Sequence, residues 1–589
     1  MSLARSLFRF DSNGWRPIGA ALRFLGVALA VSVGGAVGGR GAAVLAGVGA
    51  LYAGIASFGG VHQARLKRMV VAVALASAAT LLGCLVEPHS GLTILVVTFA
   101  TFGLAILGAA GADAAQAALL ATGTLVVFSG LNGASLHPLG NAALVLGGGL
   151  GPTLLVMVFH PISPFAAERR AVETIYAGLK RFAGRRASGI RDESLPDVAA
   201  NAAARDLLTQ GIGYGSHPEL EKLWNELELA DALRGSLAGL DRTEASETVW
   251  RSLAEWLGSA QGAIARGRPI ERSLPRFVPT PEAAPWLQRI RRTIEAEAIG
   301  RIPTGVPSAQ GWLAALRNVE AVRSIAFGYA LRYALALGVA TAGYRIFHVD
   351  HGYWAPLALA FSLKADYAST LTRGVGRIVG TAAGVTLATV FVAATHPSPT
   401  LLGTAMLASV WVAFSLLNAS FVAYSTMLAF YVVVSVTLSG ASVSTIGLER
   451  LGATLVGSGL ALVIALLWPQ WEAGRVRTLL AVAFALQSEY ADAVVDAKDR
   501  EALAAHRLRA RAARLEAERT VAAAALEPRW SRRDHLQGVE AALARLSENA
   551  ARILSAHIAA LDPHPDDPDA NDLRRLVAED RGVAADLMG

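Results

Sequence analysis

The sequence predicts an all-α polytopic membrane protein: two parallel six-helix transmembrane repeats, about twelve spans, each repeat followed by a helical polar region. Three observations predict it. Hydrophobic residues make up 53% of the 589 positions and charged residues only 17%, against about 25% in soluble domains. The charge avoids two long tracts, with seven charged residues between Pro17 and Pro161 and nine between Ser324 and Pro469. The two tracts also share an internal register. The same composition excludes a disordered chain, collagen and a disulfide-rich module, since Cys84 is the only cysteine and a single thiol closes no intrachain bridge.

Each apolar tract divides into six stretches of roughly 18–22 residues, the length a helix needs to cross the hydrocarbon core. In the first they fall at Ile18–Val37, Ala42–Phe58, Met69–Val86, Gly91–Ala110, Ala114–Leu131 and Asn141–His160. In the second they fall at Ser324–Phe347, Trp354–Leu363, Gly374–Ala394, Leu401–Leu417, Ser420–Leu438 and Leu451–Leu467. Trp354–Leu363 is short for a span and is expected to extend over its flanks. The runs are continuous, whereas the strands of an outer-membrane barrel would alternate with period two. The resulting organisation is a first membrane block at 1–161, a polar region at 162–322, a second membrane block at 323–469 and a C-terminal polar region at 470–589.

Short-loop cations set the orientation. Arg5, Arg9 and Arg16 precede the first helix, Arg65, Lys67 and Arg68 lie between the second and third, and Arg169 and Arg170 follow the sixth. The second block repeats this with Arg317 and Arg323, then Lys364, Arg373 and Arg377, then Arg475 and Arg477. Arg40, Arg345 and Arg450 are minority charges on the opposite side. Both termini and both polar regions are therefore expected in the cytoplasm. The start of the chain reads as the first membrane helix and not as a removable signal.

The blocks read as copies. Ala21-Leu22-Arg23-Phe24 returns as Ala330-Leu331-Arg332-Tyr333, and Phe159-His160-Pro161 as Leu467-Trp468-Pro469. Six is an even number of helices, so the copies share one orientation and are related by an axis along the membrane normal. The polar regions are Ala-, Leu-, Glu- and Arg-rich and helical. Ile302-Pro303-Thr304-Gly305-Val306-Pro307 marks a linker, and Pro563–Asp572 an acidic, Pro-rich disordered tail. Leu536, Val539, Leu543, Leu546, Ala550 and Ile553 form a 3,4-spaced seam that packs on the helix near Arg500–Leu526 or on a partner helix.

The residues carry little that would serve an enzyme. Gly374-x-Gly376-x-x-x-Gly380 lacks the spacing of a phosphate loop, and His348-x-x-His351 with Asp350 lacks a third ligand. No enzyme, metal or cofactor is expected. The basic balance follows the positive-inside pattern, so nucleic acid is not an expected partner; the lipid bilayer is. The informative stretch runs from His351-Gly352-Tyr353-Trp354-Ala355-Pro356 through Lys364-Ala365-Asp366 to Thr370-x-x-Arg373-x-x-x-Arg377-x-x-Gly380-Thr381-x-x-Gly384. Tyr353 and Trp354 suit an interfacial anchor or a ligand contact. Arg373 and Arg377, one turn apart, share a face at the cytoplasmic end of their helix, where Asp366, a lipid headgroup or an anionic substrate would neutralise them. Gly376, Gly380 and Gly384 suit close packing against another helix. Arg23 and Arg332 are the most membrane-embedded cations and either snorkel to the headgroups or contact substrate.

This stretch resembles the fusaric acid resistance family of bacterial inner-membrane proteins, which includes aromatic acid exporters. The Gly-Tyr-Trp-x-Pro and Thr-x-x-Arg-x-x-x-Arg-x-x-Gly-Thr elements and the alternating membrane and polar layout carry the likeness. The first block lacks the Tyr-Trp-x-Pro element. The resemblance implies a secondary exporter of small organic anions, aromatic carboxylates in particular, in the inner membrane, with a homodimer and a periplasmic adaptor as conceivable partners. A passive anion channel and a non-transporting scaffold remain as alternatives. The substrate-path candidates are Arg23, Arg332, Tyr353, Trp354, Lys364, Asp366, Arg373 and Arg377.

Overall fold

The computed structural model describes residues 10, 15, 17–57, 62–131, 133, 137–159, 165–190, 198–213, 217–241, 243, 245–274, 280–295, 323–438, 440–469, 471–496, 500–528, 536, 538–561 and 570–588. Arg5, Arg9, Arg16, His160, Pro161, Arg317, the 302–307 linker and residues 563–569 lie outside them. The described residues are all-helical, and nine of their helices are long and apolar enough to cross a membrane. The chain divides into two compact units: a membrane unit of 1–58, 62–162 and 310–470, and a polar unit built mainly from 163–309 and 471–589.

The membrane unit begins with α1 (Pro17–Ala56), which holds the expected first two helices as two limbs. Gly38 and Gly39 break it, Gly39 at φ 70°, a conformation open to glycine. The limbs fold back on each other: a Cβ on Gly34 would stand 2.9 Å from Ala46 Cβ, and one on Gly47 would stand 3.1 Å from Val31. Then come α2 (His62–Val86), α3 (Ser90–Gly108), α4 (Ala112–Gly130) and α5 (Pro138–Phe159). In the second block α11 (Arg323–Ile346), α12 (Trp354–Ser362), α13 (Tyr367–Thr395), α14 (Pro399–Leu416), α15 (Phe421–Thr437) and α16 (Val443–Leu467) follow. Asp366, Ser398 and Ser420 cap the first turns of α13, α14 and α15 with their side chains, as short polar N-caps do.

Three helix starts differ from the sequence reading. α2 begins seven residues before the expected Met69, α13 seven before Gly374 and α16 eight before Leu451, because apolar run length cannot register polar turns that remain helical. α12 does not extend over its flanks: turns carrying His348 and His351 at positive φ precede it, and an extended stretch follows. At nine residues it rises about 13 Å, under half the hydrocarbon thickness.

Both blocks pack by the same plan. In the first, α2 lies against α4 and α5, α3 against α4, and α1 against α5; in the second, α13 lies against α15 and α16, α14 against α15, and α12 against α16. The contacts between blocks pair off likewise. α3 packs on α11, with Phe102 and Phe327 edge to face at 5.5 Å. α14 packs on α1, where Phe414 joins Ala20, Val27, Ala46 and Ala50. Exchanging the two blocks turns one contact into the other, as a parallel duplication about a pseudo-twofold axis requires.

The polar unit is a helical bundle of α6 (Ala166–Ala187), α7 (Val198–Gly213), α8 (Pro218–Leu240), α9 (Glu247–Ala265), α10 (Ala284–Glu295), α17 (Ala473–Asp496), α18 (Arg500–Ala524), α19 (Val539–Leu561) and α20 (Ala570–Met588). One core gathers Tyr176, Leu179, Leu227, Leu233, Trp250 and Leu257. The expected seam is used within the chain, but chiefly against α17: Val539 and Leu546 pack with Val476, Leu480 and Phe484. α17 is itself apolar enough to count among the nine, yet its apolar face lies in this core. The tail expected to be disordered ends earlier than 572, since Ala570–Asp572 open α20, which packs on α17.

Candidate functional site

The centre of the membrane unit is where the second limb of α1, α4, α12, α13 and α15 come together. Arg377 sits there, 6% exposed, ten residues into α13 and so about 15 Å along its axis. Its guanidinium lies 5.1 Å from the Phe361 ring centroid. Among the described residues its other electrostatic neighbours are the Tyr424 and Tyr52 phenols and the cations Arg373, Lys364 and Arg450, with no carboxylate among them, and its Nε has no hydrogen-bond partner there. Tyr52 in turn neighbours Tyr424 and Tyr431. Gly123 on α4 keeps the floor open: a Cβ there would stand 3.0 Å from the Tyr52 hydroxyl and 3.2 Å from the Phe361 ring. Arg377 is thus a buried cation inside an aromatic frame drawn from both blocks, with a second, Arg450, within electrostatic reach. Such a frame accepts an anion with an apolar, planar body.

The arginine pair expected to act together is split. Arg373 is exposed on α13 and stacks on Phe421 at 4.4 Å, while Arg377 points to Phe361. Asp366 does not pair with either among the described residues. Its carboxylate accepts the Ser369 N–H at 2.7 Å and caps the helix. Lys364 is half-buried in the loop, within electrostatic reach of Arg373, Arg377 and Asp366.

Arg332 is 2% exposed and donates to the carbonyls of Lys364, Ala365 and Trp468 at 2.7–2.8 Å, tying α11 to the ends of α12 and α16. Arg23 does the matching work in the first block, reaching the Ser57 hydroxyl at 2.7 Å and carbonyl at 3.3 Å just past α1. Both are staples across helix ends. Tyr353 and Trp354 are buried within the protein. Trp354 stacks on His351 at 4.8 Å, and His351 meets Glu449 at 2.9 Å. Among the described residues no group of three or more potential metal ligands is gathered. The glycine expectation is met at two positions, where α13 packs on α15: a Cβ on Gly380 would press on Ser425 Cβ at 2.6 Å, and one on Gly384 would strike the Thr426 carbonyl. Gly376 is buried on the same helix.

Sequence reasoning missed Tyr52, Gly123, Phe361, Tyr424 and Tyr431, and it misplaced Arg450. That arginine, expected in a loop, lies seven residues into α16, 4% exposed and 5.2 Å from the Trp354 ring. One signal was available: Tyr52 and Phe361 stand at the repeat offset that relates Arg23 to Arg332.

Residues 335–464 match the family model described as fusaric acid resistance protein-like, which bears out the resemblance read from the motifs. The matched segment contains α12, α13, α14 and α15 entire, and with them Phe361, Arg377 and Tyr424. No curated protein and no solved structure matches the chain.

Proposed function

We propose that this fusaric acid resistance-like membrane protein is a secondary transporter that exports organic anions, aromatic carboxylates in particular, from the bacterial cytoplasm. One observation carries the reading: Arg377 is buried in the membrane unit without a carboxylate neighbour among the described residues, inside the frame of Tyr52, Phe361 and Tyr424. A bare charge at that depth is costly, and the carboxylate of a passing substrate supplies its counter-ion while the rings hold the substrate's apolar body. Arg373 and Lys364, nearer the cation-rich end, raise the local anion concentration before entry. In this reading that end and the polar unit face the cytoplasm; labelling of a Ser547→Cys variant by an impermeant reagent from outside intact cells would reverse the orientation.

Counterflow of labelled benzoate in proteoliposomes tests the transport, with and without a pH gradient. The transporter reading expects saturable exchange that Arg377→Gln removes while membrane abundance holds. Current carried by benzoate without exchange or gradient dependence would favour the channel. Neither activity in well-folded protein would leave the scaffold.

A further inference from the structure

The membrane unit holds a buried arginine to which the transport reading gives no role. Arg450 on α16 is 4% exposed, and its Nε and Nη1 have no hydrogen-bond partner among the described residues. Its electrostatic neighbours there are the Arg377 cation and the Tyr353 phenol, with no carboxylate among them. The acidic residue next to it in sequence, Glu449, is taken by His351 at 2.9 Å. A guanidinium keeps its charge and can only donate, and burying it without an acceptor is costly. The group that completes Arg450 is therefore an anion.

The short helix α12 sets this cation in register with the first. Arg377 lies 5.1 Å from the Phe361 ring and Arg450 lies 5.2 Å from the Trp354 ring. The two rings are seven residues apart on α12, so they share one face and are separated by about 10 Å of rise. The facing wall on α4 repeats the interval. A Cβ on Gly123 would stand 3.2 Å from the Phe361 ring, and one on Gly130 would stand 2.5 Å from Tyr353 Cβ. Each end of α12 thus offers the same pair of groups, a guanidinium for a carboxylate and a ring for an apolar planar body.

We propose that Arg450 and Trp354 form a second binding site for an aromatic carboxylate, one step further from Lys364 along α12 than the Arg377 site. The ligand class rests on the transport reading. The two sites stand in series, so a substrate leaving Arg377 finds the next cation within about 10 Å. An anion at either site also relieves the repulsion between the two arginines, which neighbour each other.

Equilibrium binding of labelled benzoate to the full-length protein in detergent micelles tests it. Wild type should saturate at about two benzoates per chain, and Arg450→Gln and Arg377→Gln should each lose one of them. Fewer than two sites in wild type, or two that survive in Arg450→Gln, would overturn the proposal. Should Arg450→Gln fail to fold, photolabelling of wild type by 4-azidobenzoate provides the second readout. Adducts are expected beside both Phe361 and Trp354, and their absence beside Trp354 would be equally fatal. The transport reading fails on a different result: two bound benzoates without counterflow would support the second site and remove only the exporter.

Discussion

The two halves of the membrane unit repeat their frame and differ at their centre. Each uses an arginine on its first helix to tie down the backbone beyond its second, Arg23 at Ser57 and Arg332 at Lys364 and Ala365. Each packs its third helix through small residues, Ala72 and Ala76 in one and Gly380 and Gly384 in the other. At the centre, however, Tyr52 is matched with Phe361, Met69 with Arg377, Gln116 with Tyr424 and Gly123 with Tyr431. Charge follows the same division. The buried Arg68 of the first half meets Asp113 at 2.9 Å, whereas among the described residues Arg377 of the second has aromatic rings and the cations Arg373, Lys364 and Arg450 around it. Duplication thus supplied a symmetric scaffold, and the asymmetry placed on it holds Arg377 at the centre, where its described neighbours supply no anion.

The widest consequence is a division of labour between the two arginines. Arg377→Gln should lower anion exchange by about 100-fold, the scale of removing a desolvated charge contact, with protein abundance unchanged. Arg68→Gln should leave exchange within a few-fold of wild type and cost about 1 kcal/mol of stability, because Asp113 is 41% exposed and water replaces its partner. Equal transport loss in both variants would break the comparison.

The staples should differ in strength. Arg332 is 2% exposed and serves three carbonyls, whereas Arg23 is only half-buried. Arg332→Ala should therefore destabilise by about 3 kcal/mol and Arg23→Ala by about 1 kcal/mol, since unpaired buried acceptors bear the full desolvation cost. Thermal unfolding in detergent checks the order; the reverse order would mean that the carbonyls at the end of α12 are solvated.

The small-residue seams come next. Gly384→Ala should cost about 2 kcal/mol, because its Cβ would meet the Thr426 carbonyl and stand 2.8 Å from Ala429 Cβ. At the matching place in the first half Ala76 already carries a methyl, and Ala76→Gly should cost about 1 kcal/mol from backbone entropy. If Gly384→Ala were neutral, α13 and α15 would have room to separate and the seam would not fix their spacing.

Most of this frame was legible before the structure. Apolar run length set eight of the twelve membrane helices nearly to their ends, and the repeated Ala-Leu-Arg motif marked both staples. What run length could not register was helix that continues through polar turns, so α2, α13 and α16 start earlier than expected and Arg377 and Arg450 lie deeper. The short α12 was misjudged for the related reason that hydropathy does not see the turns before it. The aromatic frame was illegible because Tyr52, Phe361 and Tyr424 come from three separate helices, and no local pattern distinguishes a ring facing a central arginine from one facing lipid. In the polar unit the pairing of Glu228 with Arg511 joins residues 283 positions apart, beyond the reach of any spacing argument.

The smallest expected effect probes the closest of the central pairs. Tyr52 and Phe361 occupy matching places and differ by one hydroxyl, which stands where a Cβ on Gly123 would be 3.0 Å away. The hydroxyl neighbours Arg377 electrostatically, so it stabilises the bare cation and is an alternative partner for it. Tyr52→Phe removes that competition and keeps the ring. An arriving carboxylate then meets a less satisfied guanidinium, and the half-saturating benzoate concentration should fall two- to threefold, about 0.5 kcal/mol. Phe361→Tyr makes the opposite change on the other side of the pseudo-twofold and should raise it. Shifts in the same direction for both variants would show that the hydroxyl acts through volume at Gly123 and not through Arg377, leaving the central asymmetry steric in origin.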